Sequence, residues 1–291
     1  MANPVASQSP WQKKLKLLLR HRSGMIGLGV VFFFIVVAII ADFIAPTDPF
    51  LQNADLKFLP PIWQDGGKWP HVLGTDILGR DLFSRMIYGA RLSLSIGIIS
   101  VVVGSAVGIP LGLISGYIGG KVDTLVMRVI DIMLAFPSVL LAVSIVAILG
   151  PSLENAMIAI GIVAIPTYAR LVRASVISEK ERDYVTADIA MGKRHLPILF
   201  KGILPNIVSP IMIIATLNFA GAVLEAAGLS FIGLGAQPPK PEWGALLFEG
   251  KSNFYQAPWL VLYPGLAILL TVMGFNLFGD AMRDVFDPKS K

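Results

Sequence analysis

The sequence predicts an all-α integral membrane protein with six transmembrane helices. The chain of 291 residues is 55% hydrophobic and only 15% charged, and its mean hydropathy is +0.71. A soluble domain of this length needs more polar surface to cover its core. Long apolar stretches alternate with polar segments that carry most of the Lys and Arg residues, which is the pattern of a chain that crosses a membrane several times.

The first predicted transmembrane helix occupies residues 23–45, and its apolar part is Ser23–Ala41. A basic start before an apolar run also occurs in secretory signal peptides, but this run is too long and no small-x-small cleavage site follows it. We therefore expect an uncleaved anchor. Residues 1–22 are expected to stay in the cytoplasm because five basic residues precede the span, namely Lys13, Lys14, Lys16, Arg20 and Arg22.

The next segment, residues 46–90, is rich in Pro, Gly, Asp and Trp and is too polar to cross a bilayer, so we expect it on the periplasmic side. Residues 91–280 are expected to form a five-helix core with spans at about 92–118, 122–149, 154–176, 206–235 and 259–279. The connections between the third and fourth spans and between the last two carry few basic residues and fit the outside. Both termini, including the tail 281–291, are then cytoplasmic.

A polar island, Glu181–Asn206, separates two apolar spans inside a predicted cytoplasmic loop at residues 177–205. It reads as a short surface helix, a break at Gly192, an amphipathic run and a stop at Pro205. Seven Lys or Arg residues lie between Arg170 and Lys201, which indicates the cytoplasmic side. Because long, ordered loops usually carry function, we expect a soluble cytoplasmic partner to bind this one.

Glycines recur at every fourth position of the second span. This spacing places them on one face of a helix, where a neighbouring helix can approach closely. The pattern predicts packing either within the bundle or against a second membrane subunit, and it says little about substrate. The four helix-packing candidates are Gly104, Gly108, Gly112 and Gly116.

Ionisable residues at membrane depth are costly unless they are paired or face water, so each is a candidate for function. Asp123, Arg128 and Asp131 lie in or near the third span, and Glu225 lies in the fifth. Arg128 and Asp131 are three residues apart, and we expect them to neutralise each other on one helix face. Glu225 has no partner within a helical turn, which leaves a subunit interface or a polar pathway as alternatives.

No motif indicates catalysis, a bound cofactor or a metal. The chain contains no cysteine, and its three histidines share no ligand spacing. The segment Gly244–Ser252 resembles a phosphate loop, but it has five residues between the glycines where that loop requires four. The basic residues flank apolar spans, so the net charge of +5 indicates membrane topology and not a nucleic-acid partner. A membrane enzyme would need a convergent set of nucleophile, base or metal ligands, which is not apparent.

The polar island contains YVTADIAMGKRHLPILFKGILPN, which resembles the EAA loop of permease subunits in binding-protein-dependent ABC importers. Three other stretches, His71–Leu94, Val122–Ala142 and Leu229–Leu247, are similar to the C-type permeases of dipeptide and oligopeptide importers. The resemblance extends from Arg20 to Pro288. It implies the type I ABC importer permease fold, in which a coupling helix from this loop docks into a cleft on a cytoplasmic ATPase.

The resemblance implies a set of residues that contact the ATPase. The usual Glu-Ala-Ala of the loop is here Thr186-Ala187-Asp188, so the acid at its first position is absent. Asp183 or Asp188 could replace that charge, or the contact could be mostly apolar. The implied coupling residues are Asp183, Tyr184, Thr186, Ala187, Asp188, Met191, Gly192, Leu196 and Pro205.

The resemblance also implies partners and a location. The chain would be a multi-pass subunit of the bacterial inner membrane and would form half of a peptide path with a homologous permease. Two cytoplasmic ATPase subunits would bind ATP and Mg²⁺, and a periplasmic binding protein would deliver the peptide. A nickel-chelate importer permease is one alternative. A secondary transporter or channel that works alone is another, but such proteins usually show an internal repeat of spans or an intramembrane charge relay.

Overall fold

The computed structural model describes residues 16–286. Nine helices of eight or more residues lie in that part of the chain: α1 (Arg22–Ile39), α2 (Leu82–Ile118), α3 (Gly120–Leu134), α4 (Ser138–Leu149), α5 (Leu153–Lys180), α6 (Asp183–Ala190), α7 (Leu204–Phe231), α8 (Trp243–Gly250) and α9 (Trp259–Phe286). Within the described residues, five helical segments are long and apolar enough to cross a membrane, and the number is six if the bent pair α3–α4 is counted as one span. The predicted all-helical membrane fold is confirmed.

The described residues include only part of the two predicted terminal segments, 1–22 and 281–291. Helix α1 ends at Ile39, and a short helix, Ala41–Ile44, completes the predicted segment 23–45. Most of the predicted N-terminal segment, including Lys13 and Lys14, lies outside the described residues. Helix α9 continues to Phe286, and the rest of the predicted tail also lies outside them.

Helix α2 begins at Leu82, ten residues before the span predicted from residue 92. The Asp81 carboxylate caps it by accepting a hydrogen bond of 2.7 Å from the Ser84 N–H, which satisfies one of the free N–H groups of the first turn. The predicted polar segment 46–90 is therefore helical over its last residues. A sequence window for apolar spans does not detect this start because Arg85 and Arg91 interrupt the pattern.

The span predicted at residues 122–149 is not one continuous helix. The chain forms α3 and α4, which meet at an angle of 89°. Pro137 lies in the gap, has no N–H to donate and disfavours helical geometry at Phe136. Helix α4 consequently begins at Ser138 and has only 12 residues.

The sequence predicted a stop at Pro205, but the structure has no break there. A short helix at His195–Pro197 leads through a π-helical turn, Ile198–Ile203, directly into α7. Pro205 occupies the first turn of α7, where a residue without an N–H is tolerated. The polar island is thus continuous with a transmembrane helix.

The glycine face of α2 packs against α5 within the same chain. A Cβ atom added at Gly108 would lie 2.6 Å from the Tyr168 Cβ, and one at Gly112 would lie 2.6 Å from the Ala169 carbonyl oxygen. A Cβ atom added at Gly104 or Gly116 would lie 3.0 or 2.9 Å from the nearest atom of α5. These distances leave no room for a side chain, so the two backbones are in direct contact over about three helical turns.

A second core lies toward the other end of the bundle, where α8 is enclosed by the spans. Trp243 of α8 is 1% exposed and makes an edge-to-face contact with Phe34 of α1 at 5.4 Å between ring centroids. Leu94 of α2, Val223 of α7 and Ile268 of α9 belong to the same buried cluster. The segment after α7 is therefore folded into the bundle and is not an open loop.

Two arginines and two acids connect α8 with the start of α2 and the polar segment before it. The Asp76 carboxylate accepts hydrogen bonds from Arg80 at 2.6 Å and Arg85 at 3.1 Å. The Glu249 carboxylate accepts from the same two guanidinium groups at 2.7 and 3.1 Å. Burial raises the pKa of Glu249 to about 7. The sequence offered little signal for this cluster because Arg85 and Glu249 are 164 residues apart.

The glycine contact makes a prediction about stability. Gly108→Leu forces a side chain between two backbones, and such overpacking typically costs about 1–3 kcal/mol, so the melting temperature of the purified protein should fall. Gly29→Leu on α1 is the matched control, because no atom lies within 4 Å of a Cβ added there. Equal melting temperatures for the two variants would contradict the contact.

The buried charge cluster makes a second prediction. Arg85→Met leaves Asp76 and Glu249 with only Arg80 as a partner, and breaking a buried ion pair in this way costs about 3–5 kcal/mol. Thermal denaturation in detergent should show a large loss. Arg91→Met is the control, since Arg91 pairs with Asp42 on the surface, where their side chains are 35% and 57% exposed and water screens the interaction. A comparable loss in the control would refute a special role for the cluster.

Candidate functional site

The polar island forms a small folded unit at one end of the bundle, and α6 is its main element. Val185 on α6 is fully buried. It packs in a cluster with Val176 of α5, with Ile198 and Ile203 of the π-helical turn and with Ile207 of α7. One apolar side chain therefore anchors α6 to the helices on both sides of it.

Tyr184 adds polar contacts to this anchor. Its hydroxyl donates a hydrogen bond of 2.9 Å to the Glu179 carboxylate of α5 and accepts one of 3.0 Å from the Asn206 amide of α7. Burial raises the pKa of Tyr184 above its ordinary value, so the hydroxyl remains a donor at neutral pH. Tyr184 thus joins α6 to both neighbouring transmembrane helices.

Gly192 ends α6 in a Schellman motif. Its φ of +73° lies in the left-handed region, which glycine adopts without steric cost. The Lys193 N–H donates to the Asp188 carbonyl oxygen at 3.1 Å, and the Gly192 N–H donates to the Ile189 carbonyl oxygen at 2.9 Å. These two bonds satisfy carbonyl groups that the helix end leaves free. The break predicted at Gly192 is observed.

The residues after Gly192 contact the end of α2. The Tyr117 hydroxyl and the His195 Nδ1 are 2.9 Å apart, and Lys180 donates to the Tyr117 carbonyl oxygen at 2.7 Å. A groove of about 530 Å³ runs beside these contacts and includes Ile189 and Leu196 in its wall. The polar island is thereby connected to three transmembrane helices.

One side of the island projects away from the bundle and is largely apolar. Met191 and Leu196 are 68% and 67% exposed, and neither is covered by another part of residues 16–286. Exposed apolar side chains grouped in this way typically mark a site of protein interaction. We define the α6 surface as Thr186, Ala187, Ile189, Met191 and Leu196, all of which are exposed.

The two candidate acids of the island differ in their surroundings. Asp188 forms an ion pair with Lys193 inside the island, so its charge is largely neutralised there. Asp183 lies in the first turn of α6 and is exposed. A carboxylate at a helix N-terminus is favoured by the helix dipole. Of the two, Asp183 is the one that presents an outward negative charge.

The predicted pair of Arg128 and Asp131 is wrong. Asp131 accepts a hydrogen bond of 2.6 Å from Arg170 on α5, whereas Arg128 is exposed. Asp123 similarly pairs with Arg173 of α5 at 2.5 Å. Spacing along one helix could not reveal these pairs, because the partners become neighbours only when α3 packs against α5.

Glu225 is half-buried and lies on the wall of an open cavity of about 270 Å³. The same wall carries Ser138, Thr167 and Asn218 from three different helices, which sequence reasoning did not single out. The one available signal was Asn218, a polar residue in an apolar span seven positions before Glu225 and therefore on the same helix face. The structure brings Glu225 together with other polar groups, but not with Arg128 or Asp131.

Comparison with known proteins places the chain in a family. Residues 108–291 match the family described as the binding-protein-dependent transport system inner membrane component. Residues 9–61 match the N-terminal transmembrane domain of oligopeptide transport permease C.

Full-length relatives support the match. The chain is 50% identical to a di/tripeptide transport system permease protein, DppC, of Pseudomonas aeruginosa, over 93% of this chain and 90% of the relative. It is 49% identical to the dipeptide permease DppC of Escherichia coli K12, over 97% and 94% of the two chains. A glutathione transport system permease, GsiD, of another Escherichia coli strain is 41% identical over 100% of this chain and 94% of its own length.

The fold is also similar to a solved structure. A chain of the MetNI methionine ABC transporter, crystallised in inward-facing conformations, superposes with a TM-score of 0.59 over 70% of this chain and 97% of that chain. At 21% identity this similarity concerns the fold alone. The family match and the full-length relatives establish that the chain belongs to the binding-protein-dependent transport system inner membrane components, the non-catalytic permease subunits of ABC transporters.

Proposed function

We propose that this chain is the permease subunit of a dipeptide or tripeptide importer and forms half of the peptide path. The observation that carries the proposal is the near full-length identity to relatives described as dipeptide or di/tripeptide permeases, which exceeds the identity to those described as glutathione permeases. In this proposal a homologous permease supplies the other half, two ATPase subunits bind ATP and Mg²⁺, and a binding protein delivers the peptide.

The distribution of Lys and Arg residues supports one orientation of the bundle in the membrane. The end of the bundle that carries α6 is rich in Lys and Arg, including Arg170, Arg173 and Lys201, and we assign it to the cytoplasm. In this proposal both chain termini are cytoplasmic as well. The opposite end, which holds α8 and the segment before α2, is then periplasmic and faces the binding protein.

The α6 surface is the proposed docking site for the ATPase. Its exposed apolar side chains, Ile189, Met191 and Leu196, suit a hydrophobic cleft, and most of the contact energy would come from burying them. Asp183 supplies the outward carboxylate that the altered Thr186-Ala187-Asp188 motif lacks, because Asp188 is held by Lys193.

The contacts of the polar island explain how movement at the ATPase would reach the membrane. Val185 and Tyr184 fix α6 to α5 and α7, and α5 in turn contacts α2 backbone to backbone. Close-packed elements transmit displacement instead of absorbing it. When the two ATPases close, they pull the α6 surface, tilt these spans and switch the path between inward and outward access.

The test is to alter the end of α6. Gly192→Val places a β-branched side chain at a positive φ, where it is strained, and should distort the docking surface while all spans remain inserted. Ala187→Asp should place an unpaired charge in the docking cleft. We expect each variant to lower both stimulated ATP hydrolysis and dipeptide uptake, by about tenfold if the lost contact is worth roughly 1.4 kcal/mol. The assay uses vesicles with the complete transporter and its binding protein.

Two conservative variants serve as controls. Gly192→Asn should retain most activity because asparagine tolerates the left-handed region, and Ala187→Ser should retain it because no charge is added. The docking assignment is rejected if Gly192→Val and Ala187→Asp show the same stimulated ATP hydrolysis and dipeptide uptake as the parent. Absence of ATP-dependent dipeptide uptake by the parent complex would reject the proposed function itself.

A further inference from the structure

The cavity that holds Glu225 is built by the break between α3 and α4. Leu134, at the end of α3, and Ser138, at the start of α4, both line it. Non-helical backbone at membrane depth is tolerated where it is enclosed by protein or borders a water-filled cavity. The 89° bend therefore creates a polar chamber that opens at the surface of the chain, where Leu134 and Ser138 are exposed.

The chamber contains a carboxylate without a cation. None of the ion pairs within residues 16–286 includes Glu225, whereas the two acids of α3, Asp123 and Asp131, are paired with arginines of α5. The Ser138 hydroxyl lines the same cavity as the Glu225 carboxylate and adds a polar group but no charge. An acid in this position is expensive unless a cation or water reaches it.

A second polar group points to a ligand. The buried Nδ2 of Asn218 has no hydrogen-bond partner within the described part of the chain. A buried donor without an acceptor destabilises the folded protein. Asn218 lies on the cavity wall, on the same helix as Glu225, so a carbonyl oxygen in the chamber would satisfy its amide.

We propose that Glu225 binds the α-ammonium group of the transported peptide, with Asn218 donating to a peptide carbonyl oxygen. The inference rests on the proposed function, because it requires a peptide with a free N-terminus as cargo. An α-ammonium has three N–H donors and one positive charge. It supplies the counter-charge that Glu225 lacks and fits a site with a single carboxylate beside hydroxyl and amide groups. Glu225 is thereby a binding residue of the path, not a contact between subunits.

The test compares the Glu225→Gln variant with the parent in the complete transporter, reconstituted with its binding protein and supplied with labelled dialanine. The measured quantity is the coupling ratio, which is the number of ATP molecules hydrolysed per peptide imported. Loss of a charged hydrogen bond should lower uptake about tenfold, while ATP hydrolysis stimulated by the binding protein stays within about twofold of the parent, since the α6 surface is intact. The number of ATP molecules hydrolysed per peptide imported should therefore rise. Glu225→Asp, which keeps the charge, should recover part of the uptake.

The control is Glu154→Gln, an equivalent substitution of an exposed acid that pairs with Lys240, and it should leave the ratio unchanged. Unchanged uptake in Glu225→Gln would overturn the inference and leave the proposed function standing. Loss of assembled complex on a sizing column would overturn it in favour of a subunit contact. A parent complex that imports no dialanine would refute the proposed function, and this inference with it.

Discussion

The rest of the structure depends on the direct backbone contact between α2 and α5. A membrane offers no hydrophobic force between helices, so close packing must hold them together. Gly104, Gly108, Gly112 and Gly116 allow the two helices to touch over about three turns. Helix α5 also carries Arg170 and Arg173, which pair with acids on α3. The contact consequently positions the broken span and one wall of the cavity that holds Glu225.

The same helix continues into the polar island. Val185 and Tyr184 connect α6 to α5 and α7, and the turn at Gly192 directs the following residues onto the end of α2. The α6 surface is therefore attached at several points to the helices that line the cavity. Under the proposed function, this connection converts movement of an ATPase into altered access along the peptide path without any catalytic group in the chain.

Much of this architecture could be predicted from local sequence features. The apolar runs predicted six spans, the four-residue glycine spacing predicted close packing, and Gly192 predicted the break after α6. Each of these features depends on a few neighbouring residues. The start of α2 was missed because Asp81 creates it by capping, which a search for apolar stretches does not detect.

Features that depend on distant residues were not predicted. Asp131 pairs with Arg170 instead of Arg128. The partner is determined by how α3 packs on α5, which the spacing of residues along α3 does not reveal. Pro137 breaks a span whereas Pro205 does not end its helix; the difference is that Pro205 occupies a first turn, where a missing N–H is tolerated. The polar wall around Glu225 likewise comes from several helices and becomes visible only in the fold.

Crosslinking from the α6 surface tests the central claim most directly. The chain has no cysteine, so Met191→Cys introduces a unique thiol on the α6 surface, and Tyr255→Cys introduces one at a fully exposed position on the opposite end. In the assembled transporter, a thiol-reactive photocrosslinker at position 191 should capture the ATPase, and the same reagent at position 255 should not. An ATPase crosslink from position 255, or none from position 191 in a complex that still couples ATP hydrolysis to uptake, would contradict the account.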